Sequence, residues 1–229
     1  MTFADKVIRF NRQLKYTGES LPPDIRVMNP FANLQTMSIV EKFYKKYYSD
    51  NHKRRLILGI NPGRFGAGLT GIPFTDTKRL VSECGIGYSG PSSHEPSSVF
   101  VYEVINAYGG AEAFYSKFFI NSPCPLGFTK VSATGKETNY NYYDSPQLMK
   151  AVKGFMVENI ARLIKLGIHT DVCFCFGAGK NMKYLNMLNN EHGFFDEIVA
   201  LEHPRFIMQY KNKSRNDYID KYISAFAKV

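Results

Sequence analysis

Three polar side chains stand where short apolar runs end. Asn61 follows RRLILGI, Asn121 closes KFFIN, and His203 ends DEIVALEH. An amide offers a donor and an acceptor together, and a neutral imidazole can donate a hydrogen bond, so such residues at one sheet edge can hold and polarise a polar ligand. Each also has a plain structural reading. A histidine at a strand end is often an ordinary hydrogen-bonding residue, and an asparagine before Pro62 is often a turn residue. The glycine-rich segment GINPGRFGAGLTGIPF, which contains Asn61, lacks the GxGxxG of a dinucleotide fingerprint and the GxxxxGK[ST] of a P-loop. FGAGKN, further on, completes neither pattern. The glycines are therefore read as turn formers or as places where backbone approaches a ligand closely.

The elements that must position these residues follow from hydrophobic patterning. Residues 4–16 carry apolar side chains near helical spacing, and a second helix runs from Asn29-Pro30 to about residue 50. RRLILGI is a continuous apolar run stopped by Gly59, Pro62 and Gly63, which predicts a buried strand feeding a loop. Helices are expected near 77–84 and 97–108, and a second strand ends at Asn121. Residues 129–144 are polar and read as a surface loop. Ser145-Pro146 caps a helix reaching Leu166, DVCFCFG is a third strand, and NMKYLNMLNN is a helix. The fourth strand ends at His203; a loop and a last helix over 215–227 complete the chain. Apolar strands separated by helices predict a three-layer α/β/α fold around a central, mainly parallel four-stranded sheet, in a single domain over residues 1–229. In such folds ligands bind beyond the C-terminal strand ends, where Asn61, Asn121 and His203 lie.

Composition narrows the partners. The net charge is +9 over 229 residues, which favours phosphate backbones or anionic membranes. No apolar run approaches a membrane span, and the N-terminal stretch mixes charges among its apolar residues, so cytoplasmic residence is the expectation. Cys173 and Cys175 alternate in DVCFCF and read as small strand residues, since no CxxC pair exists.

The glycine-rich segment resembles the first motif of the single-strand-selective monofunctional uracil-DNA glycosylases, a branch of the uracil-DNA glycosylase superfamily. That motif runs Gly-Met-Asn-Pro-Gly-Pro-Phe-Gly and then Thr-Gly-Val-Pro-Phe, and it aligns here without a gap. INSPCPLGF resembles the branch's Asn-x-x-Cys-Pro-Leu stretch, and LEHPRF the start of its last motif, His-Pro-Ser-Pro-Arg-Asn. The resemblance spans roughly residues 54–215 and implies hydrolysis of the bond between uracil and sugar in DNA. It assigns stabilisation of the departing uracil anion at O2 to a neutral His203. Asn61 stands where the superfamily's fastest branch has Asp; an amide holds water but cannot take its proton, which implies a slower enzyme. The resemblance further implies that Asn121 reads O4 and N3–H, that Phe74 stacks on the flipped base, and that Gly59, Ile60 and Gly63 bring backbone against it.

The chain departs from the branch at two places. Arg64 replaces a Pro, setting a cation beside the pocket to bind a phosphate or cover its mouth. After His203-Pro204 the chain reads RFIMQYKNKSRN, where Phe206, Ile207 and Met208 are candidates for an apolar wedge into DNA. Arg205, Lys211, Lys213 and Arg215 are candidates for phosphate contacts; the alternative is a loop packed on the last helix. The resemblance calls for no cofactor and no metal, since the clustered N-terminal cysteines of the iron–sulfur branches are missing. DNA is the expected partner of a monomer. Loss of Asn61 or His203 would have favoured a non-catalytic binding module, and both are present.

Overall fold

The computed structural model describes all residues from 1 to 229. Helix α1 (Phe3–Arg12) starts on a capping box, in which the Thr2 hydroxyl accepts from the Asp5 N–H and the Asp5 carboxylate accepts from Thr2. Strand β1 (Ile25–Met28) and helix α2 (Leu34–Tyr47) follow. Strand β2 (Arg54–Leu58) then runs into the glycine-rich segment, which contains the single turn α3 (Ala67–Thr70). Helices α4 (Thr77–Ser82), α5 (Pro96–Ala107) and α6 (Ala111–Lys117) lead to strand β3 (Phe118–Asn121). Strands β4 (Gly127–Val131) and β5 (Glu137–Tyr140) precede helix α7 (Pro146–Ile164), which the Ser145 hydroxyl caps as expected. The chain ends with β6 (Ile168–Phe176), α8 (Lys180–His192), β7 (Glu197–Leu201), α9 (Pro204–Tyr210) and α10 (Arg215–Phe226).

The central sheet has the order β3-β2-β6-β7, with every pair parallel. Flanked by helices, it forms the three-layer α/β/α arrangement that the apolar runs predict. Leu56, Ile57 and Leu58 are fully buried because a strand covered on both faces has no solvent side. Register places the ends of the strands together. Leu58 lies beside both Asn121 and Cys175, and Phe176 lies beside Leu201. The loops that leave these ends therefore share one edge of the sheet. A cluster of 55 buried apolar side chains joins sheet and helices.

Two expectations are corrected. Residues 129–144 are not a surface loop: β4 and β5 pair as a hairpin, and β1 joins them in a three-stranded antiparallel sheet of order β1-β4-β5. Gly135, at φ 77°, lies in the turn between β4 and β5, a hairpin signal that the polarity of the segment obscures. The segment after His203 is helical, not a loop, because His203 at the N-cap and Pro204 at the first position start α9.

Cys173 and Cys175 lie fully buried in β6 as free thiols. Burial pushes the Cys175 thiol up to about 12 and Cys173 well above the usual range, so neither is a ready thiolate. No helix is long and apolar enough to cross a membrane.

Candidate active site

The loops at the C-terminal strand ends enclose a cleft of about 1270 Å³. Gly59, Ile60, Asn61, Gly63, Phe74, Asn121 and His203 all line it. Sequence positions from 59 to 203 thus converge on one cavity.

Asn61 is held at both ends of its amide. Its Oδ1 accepts from the Tyr142 N–H at 3.1 Å, and its Nδ2 donates to the Tyr140 carbonyl at 3.2 Å. One lone pair of Oδ1 is left for a water molecule. Tyr142 is itself fixed: its hydroxyl donates to Asn181 Oδ1 at 2.6 Å, and Asn181 Nδ2 donates to the Gly59 carbonyl at 3.0 Å. These groups are buried, so the network sets the loop after β2 rigidly against the end of β5 and the start of α8.

Gly59 meets Phe74. A Cβ at Gly59 would stand 3.0 Å from Phe74 Cε2, tighter than an ordinary contact, so glycine is what lets the ring lie against the backbone. Phe74 is the one non-glycine residue with positive φ, at 52°. Such a conformation costs a bulky residue on the order of 1–3 kcal/mol and persists where surrounding packing imposes it. Its ring packs edge-on to Phe176 at 5.4 Å and lies 5.6 Å from the imidazole of His203.

His203 caps α9: its Nδ1 accepts the Arg205 backbone N–H at 3.1 Å. A ring nitrogen that accepts carries no proton, so the neutral tautomer has its proton on Nε2. Burial, aided by the nearby Arg205 charge, lowers the imidazole pKa to about 4. One ring edge meets the cleft, but enough protein surrounds the rest to disfavour the cation. The group is thus a neutral donor at physiological pH. It also ties stability to pH: between 6.5 and about 4 the unfolded chain takes up a proton that folded His203 refuses, so stability falls as pH falls through that window.

Asn121 is 5 % exposed. Its Oδ1 accepts from the Ser122 N–H at 2.8 Å, which fixes the amide plane and leaves Oδ1 with a second lone pair; Nδ2 has no partner in the protein. Donor and acceptor are presented side by side.

The DNA-binding candidates divide. Arg205, Phe206 and Met208 line the cleft. Ile207 does not: it is fully buried in the core and cannot be part of a wedge. Successive helical residues turn by about 100°, so three in a row on α9 cannot all face one side. Arg215 is ion-paired with Glu103 at 3.2 Å, so part of its charge is already met within the protein. Lys211 and Lys213 are exposed just beyond α9. Arg64 is tied to β5: its backbone N–H and Nε both donate to Asn139 Oδ1, and its guanidinium lies 5.1 Å from the Phe65 ring.

Sequence reasoning missed Asn139, Asn141 and Tyr143, which reach the cleft from the β5 side, and Glu95, which reaches it from the segment before α5. The asparagines were hidden by the loop assignment of residues 129–144. Glu95 carries no local signal beyond its place before Pro96. Lys180 and Tyr210 also line the cleft, Tyr210 packing on Phe206 at 5.5 Å.

A parallel sheet whose strand-end loops gather two amides, a neutral imidazole and a base-sized aromatic face in one cleft defines a nucleobase-recognising enzyme of the α/β class. The model of the uracil DNA glycosylase superfamily matches residues 45–227, and the chain belongs to that superfamily of DNA glycosylases, hydrolases of base excision repair. The crystal structure of wild-type Pedobacter heparinus SMUG2 is 68% identical and superposes with a TM-score of 0.98, covering 100% of this chain and 98% of that one. This likeness sets the chain in the single-strand-selective monofunctional branch. No curated protein matches the chain.

Proposed function

We propose that the chain is a monofunctional hydrolase for uracil in DNA that also accepts 5-substituted uracils, acting as a monomer in the cytoplasm. The observation that carries this reading is the His203 tautomer. With Nδ1 occupied by the Arg205 N–H, Nε2–H is the group left to face the cleft, where it can donate to uracil O2 as negative charge develops there. Asn121 supplies a donor for O4 and an acceptor for N3–H, Phe74 supplies a face for the extruded ring, and Asn61 Oδ1 supplies an acceptor for the attacking water. Acceptance of 5-substituents follows from the resemblance, in which backbone alone, here that of the cleft residue Gly63, approaches uracil C5. The function is tested by incubating the protein with single- and double-stranded oligonucleotides containing uracil or 5-hydroxymethyluracil. Free base should be released and an intact abasic strand left behind. Borohydride should trap no covalent adduct; Lys180, the lysine at the cleft, lies over the Tyr143 ring at 6.0 Å. Binding without base release would refute the reading.

The state of His203 has its own measurement. Long-range nitrogen–proton spectra should show the Nε2–H tautomer, with no titration of this ring between pH 8 and pH 5. A ring that titrates near 6.5 would not be the neutral donor described.

DNA affinity should be largely electrostatic. Changing Lys211 and Lys213 to Ala should flatten the slope of log K against log salt by about two on duplex DNA, since each lost phosphate contact contributes about 0.9. Arg215→Ala should change the slope less, because Glu103 already meets part of that charge. An unchanged slope in the double lysine variant would move the DNA track elsewhere.

A further inference from the structure

Water that adds to C1′ must give up a proton, and the cleft residues so far assigned a role cannot take one. An amide is not a base, and Asn61 is engaged by Tyr140 and Tyr142. Nδ1 of His203 is occupied, and its other nitrogen already carries a proton. Two carboxylates line the cleft, Glu95 and Glu202. Glu202 is taken by Lys221, whose Nζ donates to both oxygens at 2.7 and 3.0 Å. His94 Nδ1 is engaged with Arg79 at 2.9 Å. The Glu95 carboxylate makes no hydrogen bond; only its backbone N–H is used, donating to Asp76 Oδ2 at 2.7 Å.

The fold makes room for that carboxylate. A Cβ on Gly66 would overlap Glu95 Oε2 and stand 2.9 Å from Cδ, while one on Gly63 would stand 3.5 Å from Oε1. The glycines of the loop thus let Glu95 lie directly on the backbone that follows Asn61, two residues away at Gly63. Resting on the reading of the cleft as a uracil-DNA glycosylase site, we propose that Glu95 is the general base for the attacking water. The bond from C1′ to the base nitrogen breaks, and its electron pair leaves on uracil, where His203 holds the charge. The water oxygen then bonds to C1′, and its proton passes to a Glu95 oxygen. Glu95 returns that proton to solvent, and the uracil anion takes one up.

Its surroundings suit the role. Burial raises the Glu95 pKa first, and the buried Asp76 carboxylate from the cap of α4 raises it further, against the opposing charge of Arg205 on α9. Asp76 is itself paired with Arg79 at 3.2 Å, and His94 is the neighbour on Glu95's own segment. A carboxylate with raised proton affinity is a stronger base than an ordinary one and works closer to neutral pH.

The test is single-turnover excision of uracil across pH by Glu95→Gln and Glu95→Asp. Glu95→Gln should lower the plateau rate roughly 10²-fold, the lower bound for a lost general base. Glu95→Asp should fall in between. In wild type the rate should rise with pH as Glu95 ionises; in Glu95→Gln that limb should vanish. Affinity for abasic-site DNA should stay within about threefold, and the melting temperature should not fall, since the change removes a desolvated charge beside Asp76. A Glu95→Gln rate within about threefold of an active wild type overturns the proposal and leaves the function standing. So does a uniform loss at every pH with a lower melting temperature, which marks a packing role. Wild type that releases no uracil overturns both.

Discussion

Replacing His203 with alanine should lower single-turnover uracil excision by roughly 10²–10³-fold, the scale for removing one donor aimed at transition-state charge. The donor is effective because it is preorganised: the Arg205 N–H occupies Nδ1, and desolvation keeps the ring neutral, so no proton must be expelled before uracil leaves. The same substitution removes the cap of α9, which costs about 1 kcal/mol of stability. His203→Asn separates the two effects. Asparagine restores a side-chain acceptor at the cap but cannot place a donor where Nε2 stands. It should therefore recover the melting temperature lost in His203→Ala while excision stays as low. Affinity for uracil-containing DNA should change little in either variant. Excision by His203→Asn within threefold of wild type would show that the helix cap, and not the donor, is what His203 provides.

Asn121→Asp should transfer much of the enzyme's selectivity from uracil toward cytosine. In the wild type, Oδ1 is pinned by the Ser122 N–H and Nδ2 is free, so the amide presents one donor and one acceptor in fixed order. Uracil O4 and N3–H match that order; the cytosine amine and bare N3 oppose it. A carboxylate still accepts from Ser122 but can no longer donate to O4, and it accepts from the cytosine amine. Each mismatched buried polar group costs about 1–3 kcal/mol, so two changes should narrow the ratio of rates by roughly 30- to 10⁴-fold. The measurement is competition between uracil- and cytosine-containing strands at equal concentration. A ratio equal to that of the wild type would place base reading on another group of the cleft.

Local chemistry determined a large part of this molecule. Leu56–Leu58 are buried in a parallel strand because an uninterrupted apolar run has no face to give to water, and the same holds for Cys173–Phe176. Ser145-Pro146 starts α7 because the cap and the fixed φ of proline act within one turn. Asn61, Asn121 and His203 were legible as a group because parallel strands bring their C-terminal ends to one edge.

Other features needed the tertiary structure. Asn61 is held by Tyr140 and Tyr142, about 80 positions away, and no local pattern announces a partner at that distance. Ile207 faces the core while Phe206 meets the cleft, a choice made by the phase at which α9 docks. Phe74 adopts a left-handed backbone that its own side chain disfavours, because the packing of its ring against Gly59, Phe176 and His203 outweighs the local preference. Glu95 enters the cleft from a segment with no motif, through space that Gly66 leaves open. Periodicity and capping are short-range effects that a few neighbouring residues decide. Which loops face one another, and which polar groups are left to serve a substrate, depends on contacts that exist only after the sheet has assembled.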